Sequence, residues 1–256
     1  MNGIENASVR FSIEQGIARI VLTRGASSNA LNTDLAAGFK AAIEAVAADP
    51  GVRVLVLTGE GKNFCAGGDV REMASAAEIP AFLTDLAGTV HDALKILDTL
   101  PVVVIAGVQG SAAGAGLGFV LGADFVVAGR SSKFAAAYSA VGLSPDCGVS
   151  TLLPRVVGPR AAARMLLAAE VIGGQEALDN GLVTDLVDDA EISSRVEELA
   201  RKVCASAFPA VGQTRRLMRV ASNGSLSDRL DDEARTIADV GACGSARERI
   251  DRFAGR

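Results

Sequence analysis

Two apolar segments, each followed at once by a stretch of glycine and alanine, constrain the fold of this chain more than any other feature. The first is VRVLVLTG at 52–59, followed by KNFCAGGDV at 62–70. The second is VVVIAGV at 102–108, followed by GSAAGAGLG at 110–118. Short continuous apolar runs predict buried strands, and the small residues after them predict tight turns into helices. Repeated strand-to-helix connections are typical of an α/β fold, in which helices cover a sheet.

The flanking segments extend this pattern. Alternation in VRFSIEQGIARIVLTR predicts a hairpin that turns at Gln15 and Gly16. Asn32 is placed to cap a helix, and a longer amphipathic helix is predicted over 81–100. The Gly/Ala-rich stretch 109–124 is predicted to form a helix that packs closely against its neighbours.

The sequence pattern changes near the start of the C-terminal quarter of the chain. From about residue 190 the pattern is helical and more charged, and it ends in SARERIDRFAGR. We therefore predict an α/β core over residues 1–190 and a C-terminal helical region over 191–256.

Composition excludes several classes of protein and partner. The chain has 256 residues, of which 49% are apolar, so a sizeable core is expected and disorder is not. A net charge of −5 without a basic stripe argues against nucleic-acid binding. No apolar run approaches the ~20 residues of a membrane helix, and the first residues lack a signal-peptide pattern. Four cysteines without a CxxC pair and one histidine predict neither a zinc site nor a disulfide framework. We expect a cytoplasmic protein.

The two glycine-rich turns are also candidates for binding an oxygen atom. The start of a helix offers unpaired N–H groups, and glycine lets a ligand approach the backbone. Neither turn matches a phosphate loop or the GxGxxG spacing of dinucleotide-binding folds. If both turns face one cleft, each contributes one N–H group to a single oxygen, as in an oxyanion hole.

Six motifs in order resemble the crotonase superfamily, the enoyl-CoA hydratase/isomerase family, along almost the whole chain. They are NAL at 29–31, FCAGGD at 64–69, GSAAGAGLGFVLGAD at 110–124, KFAAAYSAVGLSPDCG at 133–148, LLPRVVG at 152–158 and ALDNGLVTDLV at 177–187. The resemblance implies a spiral of ββα units with a C-terminal helical appendage that serves oligomerisation, as a homotrimer or hexamer. It also implies an acyl-CoA substrate, with coenzyme A as part of that substrate and no separate cofactor or metal.

The resemblance assigns roles to individual residues. The backbone N–H groups of Ala66 and Ala115 would polarise the thioester carbonyl and stabilise an enolate. Residues implied to line the substrate and coenzyme A path are Ser27, Ser28, Phe64, Ala66, Gly67, Gly68, Asp69 and Gly114. Arg252 would reach the phosphates of coenzyme A.

The catalytic side chains depart from the family pattern. The two glutamates of the family's hydratases fall on Gly118 and Tyr138 in this sequence, and neither residue accepts a proton near neutral pH. Asp146 follows in an apolar segment, at a position where some family members carry an acid/base or nucleophilic aspartate. One carboxylate beside an oxyanion hole suffices for a 1,3-proton shift. We therefore expect double-bond isomerisation rather than hydration.

Four alternatives stay open from the sequence, and the first is hydration of an enoyl-CoA by an unusual set of residues. Asp146 lies in SPDCG, where an aspartate is also an ordinary turn or capping residue. His91 matches an active-site histidine of the family's CoA dehalogenases, so Asp146 as nucleophile with His91 activating water is a second chemistry. Loss of both glutamates also permits a non-catalytic acyl-CoA-binding subunit. Asp69 is expected to cap the following helix, and Cys65 and Cys147 to be small packing residues.

Overall fold

The computed structural model describes residues 5–220 and 224–255. Within these residues the strands alternate with helices, as the sequence predicts. The strands are β1 (Glu5–Asn6), β2 (Val9–Glu14), β3 (Ile17–Leu22), β4 (Val54–Gly59), β5 (Val103–Val108), β6 (Ser111–Ala113), β7 (Phe125–Gly129), β8 (Lys133–Ala135), β9 (Val171–Gly173) and β10 (Asp185–Val187).

Helices connect these strands and make up the C-terminal part of the chain. They are α1 (Thr33–Ala48), α2 (Val70–Ser75), α3 (Ile79–Thr99), α4 (Ala115–Leu121), α5 (Val149–Val157), α6 (Pro159–Leu167), α7 (Gly174–Asp179), α8 (Ile192–Cys204), α9 (Ala210–Val220), α10 (Leu226–Gly241) and α11 (Gly244–Phe253). None of the described helices combines the length and apolar character that a membrane crossing requires.

The main sheet has the strand order β1-β2-β3-β4-β5-β7-β10 in the described residues. Strands β2 and β3 form the predicted antiparallel hairpin, and Gln15 and Gly16 take the positive φ angles of 52° and 79° that its turn requires. From β3 onward the pairing is parallel. Parallel neighbours need long crossovers, which the helices supply.

Helices cover both faces of this sheet. Alternate residues of β4 point to opposite sides: Leu55 and Leu57 join the cluster that contains residues of α1 and α3. Val54 and Val56 instead pack with residues of α8. This period of two explains why the strands read as continuous apolar runs, since both faces are buried.

The Gly/Ala-rich stretch 109–124 differs from the prediction of one helix. Residues Ser111–Ala113 form strand β6, which pairs with β8 in a second sheet of order β6-β8-β9. Cys65 also bonds to this strand, donating its N–H to Ser111 O at 3.1 Å. Only after Gly114, at φ 52°, does helix α4 begin. The small residues serve a strand and a turn as well as a helix, which composition alone does not distinguish.

The C-terminal region is helical, as predicted, but its first helix belongs to the core. Helix α8 covers one face of the main sheet. Helix α9 is held by Arg215, which is 4% exposed and bonds to Asp124 at 2.6 Å. The boundary at residue 190 and the oligomerisation role of 191–256 stay predictions.

Candidate active site

The first glycine turn presents a free N–H group at Gly68 rather than at Ala66. The N–H of Ala66 donates to Ser28 O at 3.0 Å, so the prediction that this group is free to bind substrate is wrong. The N–H of Asp69 donates to Leu31 O at 2.8 Å. Between them, the N–H of Gly68 has no acceptor among the described residues, and Gly68 lines a cavity.

The second glycine turn presents the N–H of Ala115, as predicted. Gly114 donates its N–H to Ala135 O at 3.1 Å, and the chain then turns into α4. Ala115 is the first residue of that helix, where N–H groups have no intrahelical acceptor. Its N–H is without a partner in the described structure, and Ala115 lines the same cavity as Gly68.

The two turns touch through their glycines, which brings the free N–H groups together. Gly67 has φ 102°, and a Cβ on it would lie 3.1 Å from Ala113 O. A Cβ on Gly114 would lie 3.3 Å from the Cα of Gly67. Side chains at either position would force the turns apart, which is the physical reason for glycine here. We call Gly67, Gly68, Gly114 and Ala115 the cradle.

The cavity at the cradle has a volume of about 270 Å³ and a largely aliphatic lining. Helices α2 and α3 contribute Met73, Leu83, Leu86 and Ala87. Most of the remaining lining residues belong to the segment 137–148, which we call the acid loop. Such a pocket, apolar with a few convergent polar groups, is suited to an acyl chain with one polar end.

Asp146 is the one carboxylate among the lining residues, and it is hydrogen bonded to Tyr138 of the same loop. The hydroxyl of Tyr138 donates to Asp146 Oδ1 at 2.6 Å. Burial, then the charge of Asp146 and this hydrogen bond, raise the pKa of Tyr138 well above its ordinary value. The phenol therefore stays protonated and acts as a donor.

The cysteines beside the site are buried, as predicted. Burial raises the pKa of Cys65 to about 11. Burial, followed by the charge of Asp146 and a hydrogen bond to it, raises the pKa of the Cys147 thiol well above its ordinary value. Both residues are thus neutral packing groups near pH 7.

His91 lies behind the acid loop and does not line the cavity. Its Nε2 accepts a hydrogen bond of 3.0 Å from the backbone N–H of Cys147. Potential ligand atoms of His91, Asp146 and Cys147 lie within 4.8 Å of one another. The imidazole lone pair, however, is already engaged by the main chain.

Gly118, the position of one family glutamate, is closed by the acid loop. A Cβ on Gly118 would lie 2.6 Å from Cys147 Cβ and 2.8 Å from Cys147 O. The site therefore lacks that carboxylate and also lacks room for it.

Several predicted ligand-binding residues have structural roles instead. Phe64 is fully buried in the core, so its predicted contact with substrate is wrong. Asp69 caps α2 through the N–H groups of Arg71 and Glu72, as predicted, and forms an ion pair of 2.9 Å with Arg24. Burial opposes its ionisation, but the Arg24 hydrogen bond and the two N–H groups lower the pKa of Asp69. Asp69 does not line the cavity.

The predicted coenzyme A contacts at Ser27, Ser28 and Arg252 lie outside the cavity lining. Ser28 lies next to the cradle, where its carbonyl accepts the Ala66 N–H and its hydroxyl accepts from Asn63 at 3.0 Å. Ser27 is exposed in the same turn, and Arg252 is exposed on α11. None of these three side chains lines the cavity, and their contacts with coenzyme A stay predictions.

Two unpaired N–H groups at one end of an apolar cavity are typical of enzymes that polarise a carbonyl oxygen, and comparison with known proteins identifies the family. The family model for enoyl-CoA hydratase/isomerase matches residues 12–256. The chain belongs to this family, the crotonase superfamily, and has its fold.

Its relatives carry out different reactions. The chain is 33% identical to 1,2-epoxyphenylacetyl-CoA isomerase of Escherichia coli K12, over 94% of this chain and 93% of the relative. It is 32% identical to 4-chlorobenzoyl coenzyme A dehalogenase-2 of Arthrobacter sp., over 92% and 87%. The crystal structure of an enoyl-CoA hydratase from Polaromonas sp. JS666 superposes with a TM-score of 0.90 at 33% identity, over 96% of each chain. Membership therefore establishes acyl-CoA chemistry but leaves the reaction open.

Proposed function

We propose that this protein is an acyl-CoA isomerase that moves a carbon–carbon double bond. The thioester oxygen accepts hydrogen bonds from the N–H groups of Gly68 and Ala115. Asp146 removes a proton from the carbon next to the carbonyl, and the electron pair moves onto the oxygen to form an enolate. Return of that proton to the γ carbon moves the double bond into conjugation. These steps use only groups of this chain, with coenzyme A as part of the substrate.

The observation that supports this proposal most is the composition of the cavity wall. The two unpaired N–H groups and one carboxylate line the same cavity, and Asp146 is the one carboxylate among its lining residues. A general acid/base with an oxyanion hole is sufficient for a proton shift between two carbons. Addition of water by paired glutamates needs a second carboxylate, and Gly118 leaves no room for one.

Hydrolysis through an acyl-enzyme at Asp146 is the alternative that the dehalogenase relatives suggest. In that mechanism a base must activate water. His91 is the nearest imidazole, but its Nε2 accepts the Cys147 N–H and the side chain does not line the cavity. These contacts favour isomerisation over hydrolysis.

The test compares products from 3-enoyl-CoA and 2-enoyl-CoA thioesters. Isomerisation leaves the mass of the thioester unchanged, hydration adds one water, and hydrolysis releases the coenzyme A thiol. We expect Asp146→Asn to lower isomerisation by about 10²–10⁴-fold, the range for loss of a general acid/base. Asp231→Asn, a matched change at an exposed position of α10, is expected to leave the rate unchanged.

Each of the other outcomes would indicate a different function. Fast hydration that survives Asp146→Asn would remove the proposed mechanism. Release of coenzyme A with an acyl group trapped on Asp146 would indicate hydrolysis. Tight binding of acyl-CoA without turnover across a range of chain lengths would indicate a non-catalytic binding subunit.

The assembly we propose is a homotrimer or hexamer formed through the C-terminal helices. Apolar side chains there are largely exposed in the single chain: Met218 by 73%, Ile237 by 75% and Phe253 by 97%. Exposed apolar patches mark association surfaces. Sedimentation is expected to show a trimer or a larger assembly, and Ile237→Asp should shift it toward monomer. A monomeric wild type would refute this assembly.

A further inference from the structure

The turn that carries Asp146 has an unusual backbone. Val149 donates its N–H to Asp146 O at 3.0 Å, which closes a four-residue turn. Its central residues, Cys147 and Gly148, have φ angles of 49° and 77°. This is the type I′ arrangement, which favours asparagine or aspartate followed by glycine. A left-handed cysteine is sterically unfavourable, so other contacts must hold the turn in this conformation.

His91 supplies one such contact from a different element. The N–H of Cys147 donates to His91 Nε2 at 3.0 Å. Cys147 is fully buried, so without this acceptor its N–H would lack any partner, at a considerable energetic cost. His91 is itself placed by α3, where it follows the fully buried Val90.

The same helix also shapes the substrate cavity. Leu83, Leu86 and Ala87 of α3 line it, and His91 lies one turn beyond Ala87. The hydrogen bond from Cys147 therefore ties the acid loop to the helix that forms the acyl-binding wall. Asp146, the residue before Cys147, is thereby held at a fixed position relative to that wall.

We propose that His91 is a positioning residue for Asp146, acting through the Cys147 N–H and not through proton transfer to substrate. The proposal rests on the proposed function, in which Asp146 is the acid/base. For Nε2 to accept, the imidazole must carry its proton on Nδ1. Loss of the acceptor frees the turn to leave its left-handed conformation and moves the carboxylate away from the reacting carbons.

Two amide substitutions test this role because each copies one ring nitrogen. Glutamine is long enough to place its carbonyl oxygen where Nε2 lies, whereas asparagine reaches only the position of Nδ1. We expect His91→Gln to keep kcat within a few-fold of wild type. His91→Asn should lower kcat by about 100-fold, as a displacement of about 1 Å in a catalytic group does. KM should change little in both, since the cradle and the apolar wall from α2 and α3 keep their residues.

The outcomes are distinct. Equal, large losses of kcat in both variants, with unchanged melting temperatures, would overturn the proposal and indicate that the imidazole transfers a proton. Equal retention of activity in both would overturn it as well. Rescue by glutamine alone would support it, because glutamine is no base at neutral pH.

A measurement without substrate separates this proposal from the proposed function. His91 is the one histidine of the chain, so long-range proton–nitrogen NMR reports on it without assignment ambiguity. We expect a protonated Nδ1 and an unprotonated Nε2, and protection of the Cys147 amide from hydrogen exchange that is lost in His91→Asn but kept in His91→Gln. A proton on Nε2 would overturn the positioning role alone. Absence of isomerisation by the wild type would overturn the proposed function alone.

Discussion

The cradle and the acid loop line one cavity but are built on different physical principles. The cradle presents unpaired peptide N–H groups, whose positions depend on backbone conformation and on close contact between two glycine turns. The acid loop acts through side chains, with Tyr138 and Asp146 joined by a hydrogen bond of 2.6 Å. A peptide N–H group is present with every residue except proline, whereas a carboxylate is lost by almost any single substitution.

This difference explains why family membership does not define the reaction. A cradle that stabilises an enolate serves every reaction that passes through one, and so it is compatible with isomerase, hydratase and dehalogenase relatives. In the proposed mechanism, Asp146 of the acid loop decides which carbons lose and gain the proton. Substitutions that act on one region and spare the other test this division.

Besides the Asp146→Asn substitution described above, the largest effect is expected in the cradle, from removal of one N–H group. Ala115→Pro deletes the N–H at the first position of α4, where proline is well tolerated. Loss of one oxyanion donor lowers kcat by about 10²–10³-fold. Ala115→Gly keeps the N–H and is the control, expected to stay within a few-fold of wild type. Steady-state rates and melting temperatures of both variants test this prediction. A fully active, folded proline variant would contradict the role of Ala115.

The contact between α4, which begins at the cradle, and the acid loop is expected to affect stability next. A Cβ at position 118 meets Cys147 Cβ at 2.6 Å and Cys147 O at 2.8 Å, so Gly118→Ala overpacks the site. We expect a loss of about 1–3 kcal/mol in the free energy of unfolding, measured by urea denaturation. Gly118→Glu should be no more stable and should gain no hydration activity. Gly122→Ala, whose nearest contact would be 3.4 Å, is the milder control. Equal stability of both alanine variants would show that the acid loop moves away from the added Cβ with no loss in the free energy of unfolding.

A smaller effect is expected within the acid loop. Tyr138→Phe removes the donor to Asp146 and keeps the ring, so the carboxylate loses a hydrogen bond worth about 1.5–3 kcal/mol. Because the donor also aligns Asp146, we expect kcat to fall by roughly 10-fold. A rate equal to wild type would show that other contacts alone orient the carboxylate.

The smallest effect is expected in the titration of Tyr138. Tyr138 is the one tyrosine and the chain has no tryptophan, so its near-ultraviolet absorbance is easily followed. Because its pKa is raised, the folded chain keeps the phenol protonated above pH ~10, where the unfolded chain ionises. The stability linked to the protonated phenol is therefore complete below pH ~10 and is lost as the pH rises further. Asp146→Asn removes one cause of the shift and should ionise at lower pH than wild type. Identical titration curves of the wild type and Asp146→Asn would contradict the coupling between Asp146 and Tyr138.

Much of the fold was predictable because it depends on local periodicity. The hairpin around Gly16, the helix capped by Asn32 and the helix predicted over 81–100 all appear, with the last at Ile79–Thr99. The stretch 109–124 was less predictable, because glycine and alanine fit a strand, a turn and a helix equally well. Strand β6 exists because a neighbouring segment at Cys65 bonds to it, which is a long-range contact.

The site shows the same limit at the level of single atoms. Motif matching located the turn but placed the free N–H at Ala66 instead of Gly68. In an extended segment, the direction in which an N–H group points follows from the position of its residue in the sequence. The left-handed φ of 102° at Gly67 interrupts that regularity. The high glycine content of FCAGGD signals such an interruption without saying which N–H it frees.

Sequence alone determined the α/β class, the family and the presence of one carboxylate where others have two, because these follow from residue type and periodicity. Only the tertiary structure decided which N–H groups are unpaired, that Gly118 has no space for a side chain, and that His91 faces the main chain instead of the cavity. The reason is that hydrogen-bond partners and free volume are properties of segments distant in sequence, and they are defined only once those segments have packed together.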